Sequence, residues 1–172
     1  MEAGLQTAIE QLRSDQPKDQ LAAAQWLAQA DNTDEFALEI VEKLNQSDDS
    51  LVEWLESALE SCRSPDATQL DGFLNLIQQF QQGTVRPIVA YWSVTMIGCI
   101  GASAAKATPA LMEMLQRIDH PTIQFKAAWA LGEIGPAASD AIPQLEQAAK
   151  NSGHPRLATF AQLALESIKP SN

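Results

Sequence analysis

Ile123-Gln124-Phe125-Lys126-Ala127-Ala128-Trp129-Ala130-Leu131-Gly132-Glu133-Ile134-Gly135-Pro136 carries an unambiguous period. Ile123, Ala127, Ala130, Leu131 and Ile134 recur at i, i+4, i+7, i+8 and i+11, which puts all five on one face of an α-helix. Gly135 and Pro136 then end that helix, because glycine accepts the backbone angles of a helix C-terminus and proline cannot continue it. On the other side, Asp119-His120-Pro121 interrupts the pattern. Before this break, Leu111, Met114, Leu115 and Ile118 again recur at helical spacing. The fourth unit, up to Gly135, therefore reads as two helices joined by a tight turn.

The same text recurs along the chain. A shift of 34 residues lays Gly98 on Gly132, Gly101 on Gly135, Pro109 on Pro143 and Leu111 on Leu145. A further shift of 34 lays His120-Pro121 on His154-Pro155, Leu131 on Leu165 and Ile134 on Ile168. Towards the N-terminus the match thins but persists: Asp15-Gln16-Pro17 aligns with Asp119-His120-Pro121, and Ser47-Asp48-Asp49-Ser50 opens the unit between. Leu5, Ile9 and Leu12, and Leu70, Phe73, Leu74, Ile77 and Phe80, supply first helices for two other units. Openings at 17, 50, 87, 121 and 155 divide the 172 residues into five units, approximately 1–31, 32–64, 65–101, 102–135 and 136–170. A helix pair of this length cannot bury its apolar face alone, so the pairs must stack into a single all-α solenoid domain over 1–172, with no sheet.

These residues resemble the HEAT repeat family, in its short bacterial form also called HEAT-like or phycobilisome-lyase repeats. Phe125 to Gly135 resembles the family's second helix, Asp119-His120-Pro121 its turn, and Pro109-Ala110-Leu111 and Pro143-Gln144-Leu145 the start of its first helix. The resemblance is specific over about 85–170 and loose over 1–80. It implies a right-handed, armadillo-like superhelix of about five antiparallel pairs. Gln124 departs from the family, which usually has arginine there, so the usual ladder from turn aspartate to arginine is not expected. Tetratricopeptide repeats share the period, but their Trp-x-x-Leu-Gly-x-x-Tyr pattern is missing.

Charge narrows the function. Asp and Glu outnumber Lys and Arg by 22 to 11, a net charge of −11, which repels a phosphate backbone and argues against nucleic-acid binding. The imbalance is local: residues 1–86 carry 16 acidic and 5 basic side chains, whereas residues 87–172 carry 6 of each. Carboxylates crowd around Asp48, Asp49, Glu53, Glu56 and Glu60, either as a solvated face or as steering towards a basic partner. Asp48-Asp49 also suits the positive end of a helix dipole. Two cysteines, Cys62 and Cys99, are too few for a secreted disulfide scaffold, and Met1-Glu2-Ala3-Gly4 opens no signal peptide, so a cytoplasmic protein is expected. Residues 87–105 carry no charge between Arg86 and Lys106, but the repeat register and the polar Ser93, Thr95 and Ser103 argue for a core helix over a membrane span.

No catalytic or cofactor site emerges. His120 and His154 occupy equivalent turns before proline, which explains them better than a metal pair, and Cys62 and Cys99 occupy equivalent positions in adjacent units. There is no Gly-x-Ser-x-Gly elbow or His-Glu-x-x-His, and Gly98-x-x-Gly101 is not a phosphate loop. Function is therefore expected on a surface. In the HEAT family the second helices line a concave face, and the register then turns four positions per unit outward: Trp54, Leu55, Ala58 and Cys62; Tyr91, Trp92, Thr95 and Cys99; Phe125, Lys126, Trp129 and Glu133; Thr159, Phe160, Leu163 and Ser167. Six aromatics, Trp54, Tyr91, Trp92, Phe125, Trp129 and Phe160, are the candidate partner-binding residues; Trp26, one place off register, reads as core. Trp129 is the leading candidate because Ala130 and Leu131 take the neighbouring buried positions. Aromatic rings among few charges suit a protein or peptide partner. The expectation is a non-catalytic interaction scaffold with no cofactor and no membrane or nucleic-acid partner. The alternative that the resemblance implies is an accessory subunit of a phycobilin-lyase-like enzyme. HEAT-like DNA glycosylases need a basic channel, and Lys126 is the one basic residue among these positions.

Overall fold

A computed structural model describes residues 2–117, 119–151 and 153–169 of the chain. Ile118, read above as helical, and the outer ends of the first and last repeats, Met1 and Pro170, lie outside the described residues. The described chain is all-α: ten α-helices linked by turns and short 3₁₀ segments, with no strand among the described residues. The helices are α1 (Glu2–Leu12), α2 (Pro17–Leu27), α3 (Ala37–Lys43), α4 (Asp49–Glu60), α5 (Leu70–Gln81), α6 (Pro87–Ile100), α7 (Thr108–Leu115), α8 (Pro121–Ile134), α9 (Ile142–Asn151) and α10 (Pro155–Ile168).

The repeat openings mark the starts of the second helices. Pro17, Pro87, Pro121 and Pro155 each begin a helix, where the missing N–H costs nothing because first-turn amides have no helical partner. α4 starts differently: the Asp48 carboxylate accepts a hydrogen bond from the Leu51 amide at 2.9 Å and caps the helix. His120 and His154 are the residues just before α8 and α10. At the other end, α6 and α8 stop at Gly101 and Gly135, with φ of +68° and +72°. That left-handed backbone favours glycine, and each turn leads through a 3₁₀ segment, Gly101–Ala107 or Gly135–Ala141, into the next first helix.

The described residues form two compact units, one within residues 1–65 and one within residues 66–172. In the first, α2 packs on α1 and α4, and α3 packs on α4, burying Ile9, Leu12, Leu27, Ile40, Leu55 and Leu59. Thr33 is buried below the end of α4, its hydroxyl donating to the Ala58 carbonyl at 3.0 Å and lying 2.9 Å from Cys62 Sγ. Asp34 accepts from the amides of Arg63 at 2.7 Å and Ser64 at 3.2 Å, closing the turn after α4.

In the second unit, the second helices stand in a row: α8 packs between α6 and α10, while α6, α8 and α10 also pack on their own first helices α5, α7 and α9. The apolar run from Pro87 to Leu115 is long enough, by length and composition, to cross a membrane. Here it is broken: α6 ends at Gly101 after 14 residues, and Val89, Ala90, Val94, Met96 and Ile97 are buried. A span needs about 20 residues, so this is the apolarity of a core helix touched by neighbours on several sides. Gln124 is buried at the foot of α8, and its Nε2 donates to the Leu115 carbonyl at 3.0 Å. That bond joins the two helices of the repeat at the place where the family usually has arginine.

Candidate functional site

The row α6–α8–α10 presents two groups of rings and cations. Lys126 on α8 holds its Nζ over two ring faces, 4.8 Å from the centroid of Trp129 and 5.4 Å from that of Tyr91 on α6. Arg156, in the first turn of α10, lies over the Phe125 ring at 4.3 Å. Phe160, one turn further along α10, stacks on the same Phe125, centroids 5.6 Å apart and planes 16° from parallel. Tyr91 and Trp92 meet edge to face at 5.5 Å. Such contacts hold a cation in place by the quadrupole of the ring without neutralising it.

The Lys126 ammonium is half-buried. Burial pushes its pKa below the ordinary lysine value; the nearby Cys99 thiol opposes that shift, and the Arg156 charge adds to it. Elsewhere, Arg13, Lys106, Arg117 and Lys169 pair with Glu39, Asp71, Asp119 and Glu146. Among the described residues no carboxylate pairs with Lys126 or Arg156.

The six aromatic candidates separate by depth. Tyr91, Trp129 and Phe160 are half-exposed on the α6–α8–α10 row. Trp54, on α4 in the other unit, is 37% exposed. Trp92 and Phe125 are not on the surface: only 6% and 8% of each is accessible. Trp92 is enclosed because α6 is contacted by α5 and α8 together, and Phe125 because Arg156 and Phe160 cover it. One ring of each adjacent pair thus supports the other from beneath. Leu55, Ala58, Thr95 and Cys62, also expected outside, are buried. In α10 the outward register holds best, with Thr159, Leu163 and Ser167 exposed, Leu163 at 51%.

Trp26 corrects the sequence reading in the other direction. Its register position is core in later repeats, where Leu59, Met96 and Ala130 are buried, yet Trp26 is 42% exposed. Its indole is too large to be covered where α1 passes it: a Cβ built on Gly4 would come within 2.9 Å of the ring. With Leu5, Gln29, Ala30, Asp31, Asn32 and Glu35 it lines a cleft of about 590 Å³ in the first unit. Arg156 went unnoticed in the sequence because its repeat equivalents are Thr122 and Ile88, so no recurring residue type marks the place. Among the described residues, no group of three or more His, Cys, Asp or Glu side chains could hold a metal ion.

Residues 74–166 match the family model for HEAT repeats. The chain belongs to the HEAT repeat family. The helix pairs, the prolines that open second helices and the glycine-led turns of 85–170 are thus those of HEAT repeats. Among solved structures, the crystal structure of an engineered protein is similar to 96% of this chain and 79% of its own, with 22% identity and a TM-score of 0.65. A designed armadillo repeat protein aligns over 96% of this chain and 100% of its own, with 16% identity and a TM-score of 0.45. No curated protein sequence matches the chain. HEAT and armadillo-like repeats are commonly scaffolds for protein interaction.

Proposed function

We propose that this HEAT repeat chain is a non-catalytic interaction module and that a partner protein or peptide docks along α6, α8 and α10. The observation that carries this reading is the half-buried rings that neighbouring helices present, Tyr91 on α6, Trp129 on α8 and Phe160 on α10, beside the buried Trp92 and Phe125. A large ring buries about 150–250 Å² when wholly covered, so these three offer a fraction of that each, and rings already held by neighbours lose little entropy when a partner covers them. Taken by itself, the first unit exposes Trp54 and carries most of the carboxylates, which suit a basic ligand.

Selection of random peptides of about 16 residues on the full-length protein tests the proposal. Enriched peptides should lose at least about tenfold in affinity when Tyr91→Ala and Phe160→Ala are introduced into a chain whose helix content is unchanged, a loss typical of interface anchors. Enriched peptides whose binding ignores both changes would place the docking surface elsewhere.

A further inference from the structure

The face just described has a chemical preference of its own. It holds two cations, Lys126 and Arg156, in a chain where carboxylates outnumber cations two to one. Four other cations have found a carboxylate; these two rest on aromatic faces instead. The two lie on neighbouring helices, Lys126 over the rings of Trp129 and Tyr91 and Arg156 over that of Phe125, and the Arg156 charge acts on the half-buried Lys126 ammonium as a like charge. An anion seated between them would offset that repulsion and would be held by charge-assisted hydrogen bonds.

We propose that the α8–α10 part of this face receives an acidic stretch of a partner polypeptide, one of its carboxylates docking between Lys126 and Arg156 while flanking apolar side chains lie on Tyr91, Trp129 and Phe160. This rests on the docking reading above and specifies its ligand. The acidity of the whole chain does not oppose it, because residues 66–172 hold 8 acidic and 7 basic side chains and are close to neutral. The exposed Glu133 lies two turns beyond Lys126 on α8, which sets a direction: the carboxylate of the ligand belongs at the Pro121 end of α8, away from Glu133. A phosphate polymer fits less well, since it brings no aliphatic side chains to the rings.

The same random-peptide selection on the full-length protein reads this inference separately. Enriched sequences should carry net negative charge with at least one large apolar residue beside an Asp or Glu. A synthetic winner should lose at least about tenfold in affinity on Lys126→Ala with Arg156→Ala, and keep its affinity within about threefold on Lys126→Arg with Arg156→Lys. Its affinity should also fall at least about threefold between roughly 50 mM and 500 mM salt, a readout that needs no variant. Winners that are neutral or basic, or that ignore the double alanine change or the salt, overturn the acidic assignment. If those winners still depend on Tyr91 and Phe160, the docking reading survives without it. Failure to enrich any peptide overturns both, and an oligonucleotide that displaces the winner from this face would overturn the choice of a polypeptide.

Discussion

The indole of Trp129 lies on Gly98. A Cβ built on Gly98 would press into the ring, coming within 2.9 Å of Cε3 and Cη2 and closer still to Cζ3. The equivalent glycine of the next repeat is used differently: a Cβ on Gly132 would meet the backbone of α10, 3.0 Å from Ala164 Cα. One repeated glycine therefore seats a side chain and the other admits a helix. The Trp129 ring that Lys126 rests on is positioned by the first of these.

Gly98→Ala should consequently destabilise the second unit by about 1–3 kcal/mol, the usual cost of overfilling a packed site. Trp129→Ala should make the same change nearly neutral, since the obstacle is the ring itself. The double-mutant cycle should show a coupling of at least about 1 kcal/mol by urea denaturation. Additive effects would mean that the methyl group is accommodated without moving the indole.

The 34-residue register marks the second helices of the later repeats, because proline and glycine recur where helices must start and stop: Pro87, Pro121 and Pro155, Gly101 and Gly135; α4 is marked instead by its Asp48 cap. It was not enough to sort inside from outside. Position 92 and its equivalents 126 and 160 are Trp, Lys and Phe, and the tryptophan is buried while the others are half-exposed. Periodicity fixes which face a residue occupies on its own helix; exposure depends on how many neighbouring helices close over that face. The same limit explains Trp26, whose register says core and whose size leaves it at the rim of a cleft. The cation sites were hidden for a further reason, since contacts such as Arg156 over Phe125 join different positions of adjacent repeats and leave no mark at a fixed spacing.

Gln124 offers a test of the departure from the family pattern. Its side-chain amide serves the Leu115 carbonyl at the end of α7, one of the terminal carbonyls that no further helical turn follows to satisfy. Gln124→Met keeps the size and removes the donor, leaving the carbonyl without this partner among the described residues. The expected loss is about 1–3 kcal/mol in chemical denaturation, with helix content unchanged. A loss below about 0.5 kcal/mol would show that the carbonyl finds another donor.

Glu42 on α3 gives a prediction with a defined pH dependence. The side chain is exposed, but partial desolvation of its carboxyl raises the pKa above the ordinary value of 4.5. The charge of Glu39, three residues earlier and bound to Arg13, adds to the shift, and the effect expected is small. A carboxyl whose folded value lies above its unfolded value binds protons more tightly in the native chain. Its contribution to stability is therefore present in acid and is lost as pH rises through the raised value, so that the ionised carboxylate is a burden at neutral pH. Glu42→Gln removes the burden. The variant should melt at a higher temperature than the parent at pH 7, and the gap should close as pH falls below 4.5. Asp119 and Glu146, held low by Arg117 and Lys169, contribute with the opposite sign, but they are common to both proteins and cancel in the difference. A variant that melts lower than the parent at pH 7 would mean that the Glu42 charge is favourably paired in solution.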